Sequence, residues 1–173
     1  RRGNADGIGI SSGRDNVISH VLAYDNADDG IDAWKSTYTM IEYTVVHSNG
    51  RGSHGNGNGI KAGGGIDNYT TVRHTIAYNN KAVGFTNNSG RHISFINNTA
   101  FGNGNYAFLG HTAVTFTNNL AIGGTLTVHD SSQRNNSWNL SISDARPVST
   151  DSAHPEFLAL RADSPAINAG VST

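Results

Sequence analysis

Four aspartates and one lysine hold the chemistry of this chain. Asp28, Asp29 and Asp32 crowd into the short run Asn26-Ala27-Asp28-Asp29-Gly30-Ile31-Asp32. An earlier echo, Asn4-Ala5-Asp6-Gly7-Ile8, precedes it, and Gly57-Asn58-Gly59-Ile60-Lys61 follows. If the chain stacks these three segments, four carboxylates and one ammonium converge on one surface. Carboxylates packed that closely repel one another unless a cation sits among them. Calcium suits such a site, because it is a hard ion that takes about six to eight oxygens in a flexible geometry. Zinc would ask for His or Cys at tighter spacing, and the chain has no cysteine. A single Asp-Gly or Asn-Gly pair is ordinary turn chemistry. The recurrence of the pattern over three segments turns the reading toward a site.

Lys61 is the candidate base beside that ion. A polyuronate carries a carboxylate on the sugar ring, which makes the neighbouring C5 proton weakly acidic. A cation on the carboxylate would stabilise the charge that develops as the proton leaves. A base then takes the proton and the C4–O bond breaks by elimination. Lysine titrates at about pH 10.4 when unperturbed. Asp32 and its neighbours would raise that value until calcium offsets them. The expected activity is therefore calcium-dependent.

The elements that position these groups follow from an internal repeat. Glycine precedes an apolar residue at Gly7-Ile8, Gly30-Ile31, Gly59-Ile60 and Gly84-Phe85, with Ala107-Phe108 fifth, at intervals of 23, 29, 25 and 23 residues. An asparagine ends an apolar segment at Asn26, Asn49, Asn80 and Asn103. Eight residues before it stand Ile18, Ile41, Val72 and Phe95, and three before it Ala23, Val46, Ala77 and Ala100. Each repeat reads as two or three short strands broken by Gly and Asn turns. A unit this short cannot bury its own apolar face, so it stacks on copies of itself. The expected fold is all-β, a right-handed parallel β-helix of about five to six coils. The asparagine column is expected to supply left-handed bend residues and an amide ladder along the axis.

In this register Asp6, Asp29 and Asn58 are equivalent, as are Gly9, Asp32 and Lys61. The column Ile8, Ile31, Ile60, Phe85 and Phe108 is apolar throughout and faces inward, so Asp32 and Lys61 face outward on adjacent coils. Asp6 and Asp29 fall at the bend that enters the strand.

Composition sets the limits. The 173 residues suffice for one domain, 1–173, with repeats over about 3–140 and a C-terminal capping segment over about 141–173. A net charge of −1 gives no global field to attract nucleic acid or an anionic membrane. No apolar run approaches the length of a membrane span. The chain opens on Arg1-Arg2-Gly3, directly before the first motif, and reads as a mature or trimmed product without a secretory signal. No N-terminal cap is visible, so the first coil is expected to present an open sheet edge through which copies could associate.

The order Asn-Ala-Asp-Gly, Asp-Asp-Gly-x-Asp, Gly-Asn-Gly-x-Lys-x-Gly-Gly resembles the family 9 polysaccharide lyases, typified by pectate lyases on a right-handed parallel β-helix. The likeness extends over roughly residues 3–123, including Gly84-Phe85-Thr86-Asn87-Asn88. It implies a calcium-dependent lyase acting on an acidic polysaccharide such as pectate, secreted by a bacterium. It also implies calcium ligation by Asp6, Asp28, Asp29 and Asp32 and a Brønsted-base role for Lys61. Two alternatives stay open: a non-catalytic carbohydrate-binding or structural module braced by calcium, and a uronate epimerase that returns the proton instead of eliminating.

Three further residues are candidate substrate contacts. The longest repeat inserts Gly50-Arg51-Gly52-Ser53-His54-Gly55-Asn56 just before the Lys61 strand. Arg51 suits a bidentate carboxylate contact, and His54 a hydroxyl. Lys35, after Trp34, lies just past the acidic cluster. His20 and His74 share a column with Tyr43 and Asn97, read as a polar turn column and not as a metal site.

Overall fold

A computed structural model describes residues 3–173; Arg1 and Arg2 lie outside the described residues. Among the described residues, seventeen short strands and no helix make up the regular structure. They form three parallel sheets that the chain visits in turn, once per coil. The first sheet holds β1 (Ile8–Gly9), β4 (Ile31–Asp32), β7 (Ile60–Lys61), β10 (Val83–Thr86), β13 (Tyr106–Leu109) and β16 (Thr125–Thr127). The second holds β2 (Val17–Ser19), β5 (Met40–Glu42), β8 (Thr71–Arg73), β11 (Ile93–Ile96), β14 (Val114–Thr117) and β17 (Ser132–Arg134). The third holds β3 (Leu22–Tyr24), β6 (Val45–His47), β9 (Ile76–Tyr78), β12 (Thr99–Phe101) and β15 (Leu120–Ile122). Every sheet neighbour is one coil away in sequence, the defining property of a parallel β-helix.

The expected columns are the pairing registers. Ile8 pairs with Ile31, Ile31 with Ile60, Ile60 with Phe85 and Phe85 with Phe108. These residues fill the axis together with Ile18, Ile41, Val72, Phe95 and Phe116 from the second sheet and Ala23, Val46, Ala77 and Ala100 from the third. Small residues on the third sheet leave room for the phenylalanines. Phe85 stacks on Phe108 at 4.9 Å and Phe95 on Phe116 at 5.2 Å. Trp138 packs 5.3 Å from Phe108 at the far end of the core. Burying each such ring contributes about 1.5–3 kcal/mol.

The asparagine column forms a continuous ladder. Asn26 Nδ2 donates to Asn49 Oδ1 at 2.8 Å, Asn49 Nδ2 to Asn80 Oδ1 at 2.8 Å and Asn80 Nδ2 to Asn103 Oδ1 at 2.9 Å. Each Oδ1 also accepts the main-chain N–H of the preceding rung. One expectation needs correction. The left-handed residues of this bend are not the asparagines but the residues just before them, Asp25, Ser48, Asn79 and Gly102. The asparagines keep ordinary backbone angles because their amides must point inward to bond one another.

A second ladder stands at the bend between the second and third sheets. Asn98 Nδ2 donates to Asn119 Oδ1 at 3.0 Å, and Asn119 Nδ2 to Asn136 Oδ1 at 2.9 Å. The residue before each, Asn97, Asn118 and Asn135, is left-handed, as are His20, Tyr43 and His74 in the earlier coils. That column is a stack of rings, with His20 5.2 Å from Tyr43 and Tyr43 5.1 Å from His74.

Beyond Arg134 no strand is formed among the described residues. The segment 141–173 runs in turns and returns along the flank of the solenoid. Phe157 meets Tyr78 and Phe101 edge-on, and Asn118 exchanges two hydrogen bonds with the main chain of Val171.

Candidate functional site

Register places the chemical groups on the first sheet. Asp32 pairs directly with Lys61, one coil apart, with Gly9 on the coil before and Thr86 on the coil after. Asp29 lies one coil from Asp6, whose Oδ1 accepts the Asp29 main-chain N–H at 3.1 Å. Asp28 and Asp29 lie at the bend before β4, and Gly30 after them lets the next coil approach closely. A Cβ at Gly30 would stand only 2.7 Å from the Gly59 carbonyl oxygen of the next coil.

The loop 50–57 locks this bend. It folds over the preceding coil, with the Gly52 N–H donating to the Ala27 carbonyl at 2.7 Å. Gly55 sits where a Cβ would come 2.4 Å from the Ala27 oxygen and 2.7 Å from the Asp28 Cα. The loop's own N–H groups, on Asn56 and Gly57, donate to Asp28 Oδ1. Asn58 then donates to Asp29 Oδ1 from its main chain at 2.7 Å and its side chain at 2.9 Å. One oxygen of each carboxylate is thereby held, and the other is left to face the site.

Asp6, Asp28 and Asp29 each offer a carboxylate oxygen within 4.8 Å of the others. Asp32 stands across Lys61 from this triad. The Lys61 ammonium bridges the two sides, 2.8 Å from Asp29 Oδ2 and 2.7 Å from Asp32 Oδ2. Asp29 is fully buried and Asp32 7% exposed, so neither charge is diluted by solvent. Asp32 Oδ1 is buried with no hydrogen-bond partner, and Asp29 Oδ2 has no polar partner besides the Lys61 ammonium.

The electrostatics follow from this crowding. Burial pushes the Asp6 carboxyl up to about 6, with the Asp29 N–H opposing and the carboxylates of Asp29, Asp32 and Asp28 adding to the rise. Burial also raises Asp29 and Asp32, against the Lys61 hydrogen bonds that lower them. For Lys61, burial works to lower the ammonium, but hydrogen bonds and attraction from Asp29 and Asp32 outweigh it, and the net shift is upward. Without a further cation the cluster is short of positive charge and the lysine is held protonated. The donor set fits calcium: hard carboxylate oxygens converge, one buried oxygen is orphaned, and the backbone holds the opposite oxygens in place.

The other expected contacts separate. Arg51 turns away from the cluster and pairs with Asp25 at 2.6 Å. His54 is exposed on the loop, and Lys35 is exposed on the turn after β4. Sequence reasoning did not single out two residues that the structure ties to the site. Asn58 anchors Asp29, a role signalled only by its place one coil beyond Asp29. Trp34 lines a shallow cleft with Asp6, Gly9, Ile10, Ser11 and Asp32, next to the ion pair.

The chain is similar to several characterised proteins. A family model described as "Pel9A-like, right handed beta helix region" matches residues 1–136. Pectate lyase L of Dickeya chrysanthemi is 33% identical over 165 residues, spanning 86% of this chain and 37% of that protein. Pectate lyase L of Paenibacillus polymyxa (strain SC2) is 39% identical over 140 residues, spanning 70% of this chain and 31% of that protein. The crystal structure of pectate lyase Pel9A superposes with a TM-score of 0.87 at 28% identity, covering 97% of this chain and 50% of that one. The chain thus spans about a third of the length of these curated relatives and half of the solved structure.

Proposed function

This chain belongs to the Pel9A-like right-handed β-helix family, and from that premise we propose that it is a calcium-dependent lyase. Its substrate is an acidic polysaccharide such as pectate, cleaved by β-elimination. The observation that carries the reading is Lys61 Nζ, held between Asp29 and Asp32 beside the Asp6–Asp28–Asp29 triad. Asp6, Asp28, Asp29 and Asp32 would hold the ion. Bound calcium supplies neutralisation of the uronate carboxylate, which lowers the cost of charge at the adjacent carbon.

The residues of the chain do the remaining work. Lys61, in its neutral form, takes the C5 proton from the sugar. The C–H electron pair becomes the C4–C5 double bond, and the C4–O pair leaves with the departing sugar oxygen. Asp29 and Asp32 fix the amine in place but also hold its proton, so the base is competent only when their charge is satisfied elsewhere. Asn58 and the loop amides keep the carboxylates from turning away. Secretion is the setting in which such a polymer would be met.

One observation favours a second reading. The ammonium is doubly ion-paired and nearly buried, with 12% of its side chain exposed, as a structural brace would be. A single assay separates the two. Polygalacturonate is incubated with calcium, with chelator, and with the Lys61→Ala variant, and the ultraviolet absorbance of the unsaturated uronate product is followed. Product that needs both calcium and Lys61 supports the lyase. Tight calcium binding with no product from any polyuronate would leave the brace.

A further inference from the structure

Trp34 lies on the turn after β4, two residues past Asp32, and stays half-exposed although it is the largest apolar side chain near the site. Ala33 before it points into the core and is fully buried, so the strand's alternation directs Trp34 outward. The indole is not loose. Its Cδ1 and Nε1 lie over Gly64 of the next coil, where a Cβ would fall 1.6 and 2.1 Å from them. A glycine with this function lets the ring lie against the backbone. The ring then forms part of the cleft that Asp6, Gly9, Ser11 and Asp32 also line.

Lys35 completes the arrangement. Its Nζ stands 5.0 Å from the centroid of the Trp34 ring. Arg14, Arg51, Lys61, Arg73 and Arg91 are each ion-paired to a carboxylate of this chain. Lys35 has no carboxylate partner among the described residues, and it stands over a ring that lines this cleft. An exposed aromatic face takes the apolar C–H side of a sugar ring. The Lys35 ammonium, which stands over the ring and is paired with no carboxylate among the described residues, takes a carboxylate. A neutral sugar would use only the first of these contacts.

We propose that Trp34 and Lys35 form a uronosyl subsite next to the acidic cluster, with the indole as stacking platform and Gly64 as the residue that seats it. The subsite rests on the lyase reading for its place in the reaction, but its occupancy can be read without turnover. The full chain is titrated with trigalacturonate, and tryptophan emission is recorded for the unmodified protein and for Trp34→Phe. Trp138, packed at the end of the core, supplies a constant background. In parallel, KM and kcat on polygalacturonate and calcium affinity by calorimetry are measured for Trp34→Ala, Trp34→Phe, Lys35→Gln and Gly64→Ala.

The expected result is a saturable emission change that Trp34→Phe abolishes. KM should rise about tenfold in Trp34→Ala, with kcat within about twofold and calcium affinity unchanged. Gly64→Ala, which keeps the indole but displaces it, should raise KM similarly, and Trp34→Phe less. Lys35→Gln should weaken trigalacturonate but leave a neutral trisaccharide as weak as before. An active enzyme with no emission change and unaltered KM in Trp34→Ala overturns the subsite and leaves the lyase reading standing. Saturable, Trp34-dependent binding in a protein that makes no product supports the subsite and removes the lyase. Neither binding nor product overturns both.

Discussion

Two polar columns run along the axis of this solenoid, and they solve the problem of burial in opposite ways. In the Asn26–Asn49–Asn80–Asn103 ladder the amide oxygens of Asn49, Asn80 and Asn103 meet donors and every amide nitrogen an acceptor, all within the chain. It is neutral and self-sufficient. In the acidic column, Asp6–Asp29 and Asp32–Lys61 with Asp28 alongside, the one ammonium pairs with two of four carboxylates, and a buried oxygen goes without a partner. A buried polar group left unpaired costs about 1–3 kcal/mol, more when charged. The first column is complete as it folds. The second asks for something from solution, and that asymmetry marks the site more clearly than the residue types do.

The contrast can be broken at its strongest point first. Lys61→Ala should lower kcat by about 10²–10⁴-fold, the usual contribution of a positioned general base. It should leave the Asn ladder intact, which protection of the ladder amides from hydrogen exchange would report. If the variant keeps full activity, the lysine belongs with the ladder as structure. Next in size is Asn80→Ala. It unpairs buried groups of Asn49 and Asn103 and should cost about 3 kcal/mol in denaturant unfolding. Calcium affinity should not change, because no ladder atom touches the carboxylates; a large drop in affinity would dissolve the distinction between the columns.

Calcium itself should stabilise the acidic column alone. At about a hundredfold excess over Kd, the gain is about 2.7 kcal/mol. It should appear as a calcium-dependent thermal shift that Asp29→Asn largely removes and Asn80→Ala preserves. The smallest effect belongs to a solvated pair outside both columns. The hydrogen bond from Arg91 lowers the Asp67 carboxyl below its ordinary value of 3.8. A depressed acid stabilises the fold above its unfolded pKa and loses that contribution as the pH falls through the folded value. Asp67→Asn should therefore be marginally less stable than the parent at neutral pH and indistinguishable in acid, as unfolding midpoints would show.

The repeat made much of this architecture readable in advance. Asp32 beside Lys61 and Asp6 beside Asp29 follow from counting, because a parallel register turns sequence intervals into neighbours. The core columns were readable for the same reason. What escaped counting was local geometry. The bend at Asp25, Ser48, Asn79 and Gly102 is left-handed in residues of four different types, so no residue preference announces it. The second ladder, Asn98–Asn119–Asn136, begins only midway along the chain; Thr44 and Thr75 hold the equivalent bends earlier. Arg51 lies close to the site in sequence, yet Asp25 draws its side chain around the bend. Pairing between surface charges depends on where side chains point, which spacing alone does not encode. Trp34 was passed over because a lone exposed aromatic carries no periodic signal; only its contact with Gly64 distinguishes it.

The tail that returns along the flank alters how such a stack can come apart. A solenoid held only by nearest neighbours can shed coils one at a time from either end. Here Phe157 grips Tyr78 and Phe101, and Val171 is tied to Asn118. Residues from the last part of the chain thus bind coils well inside the stack. Fraying from that end must first detach the tail, and detaching it releases contacts to several coils at once. A zipper becomes a buckled strap at one end, and unfolding there acquires an all-or-none threshold that the repeats alone do not provide.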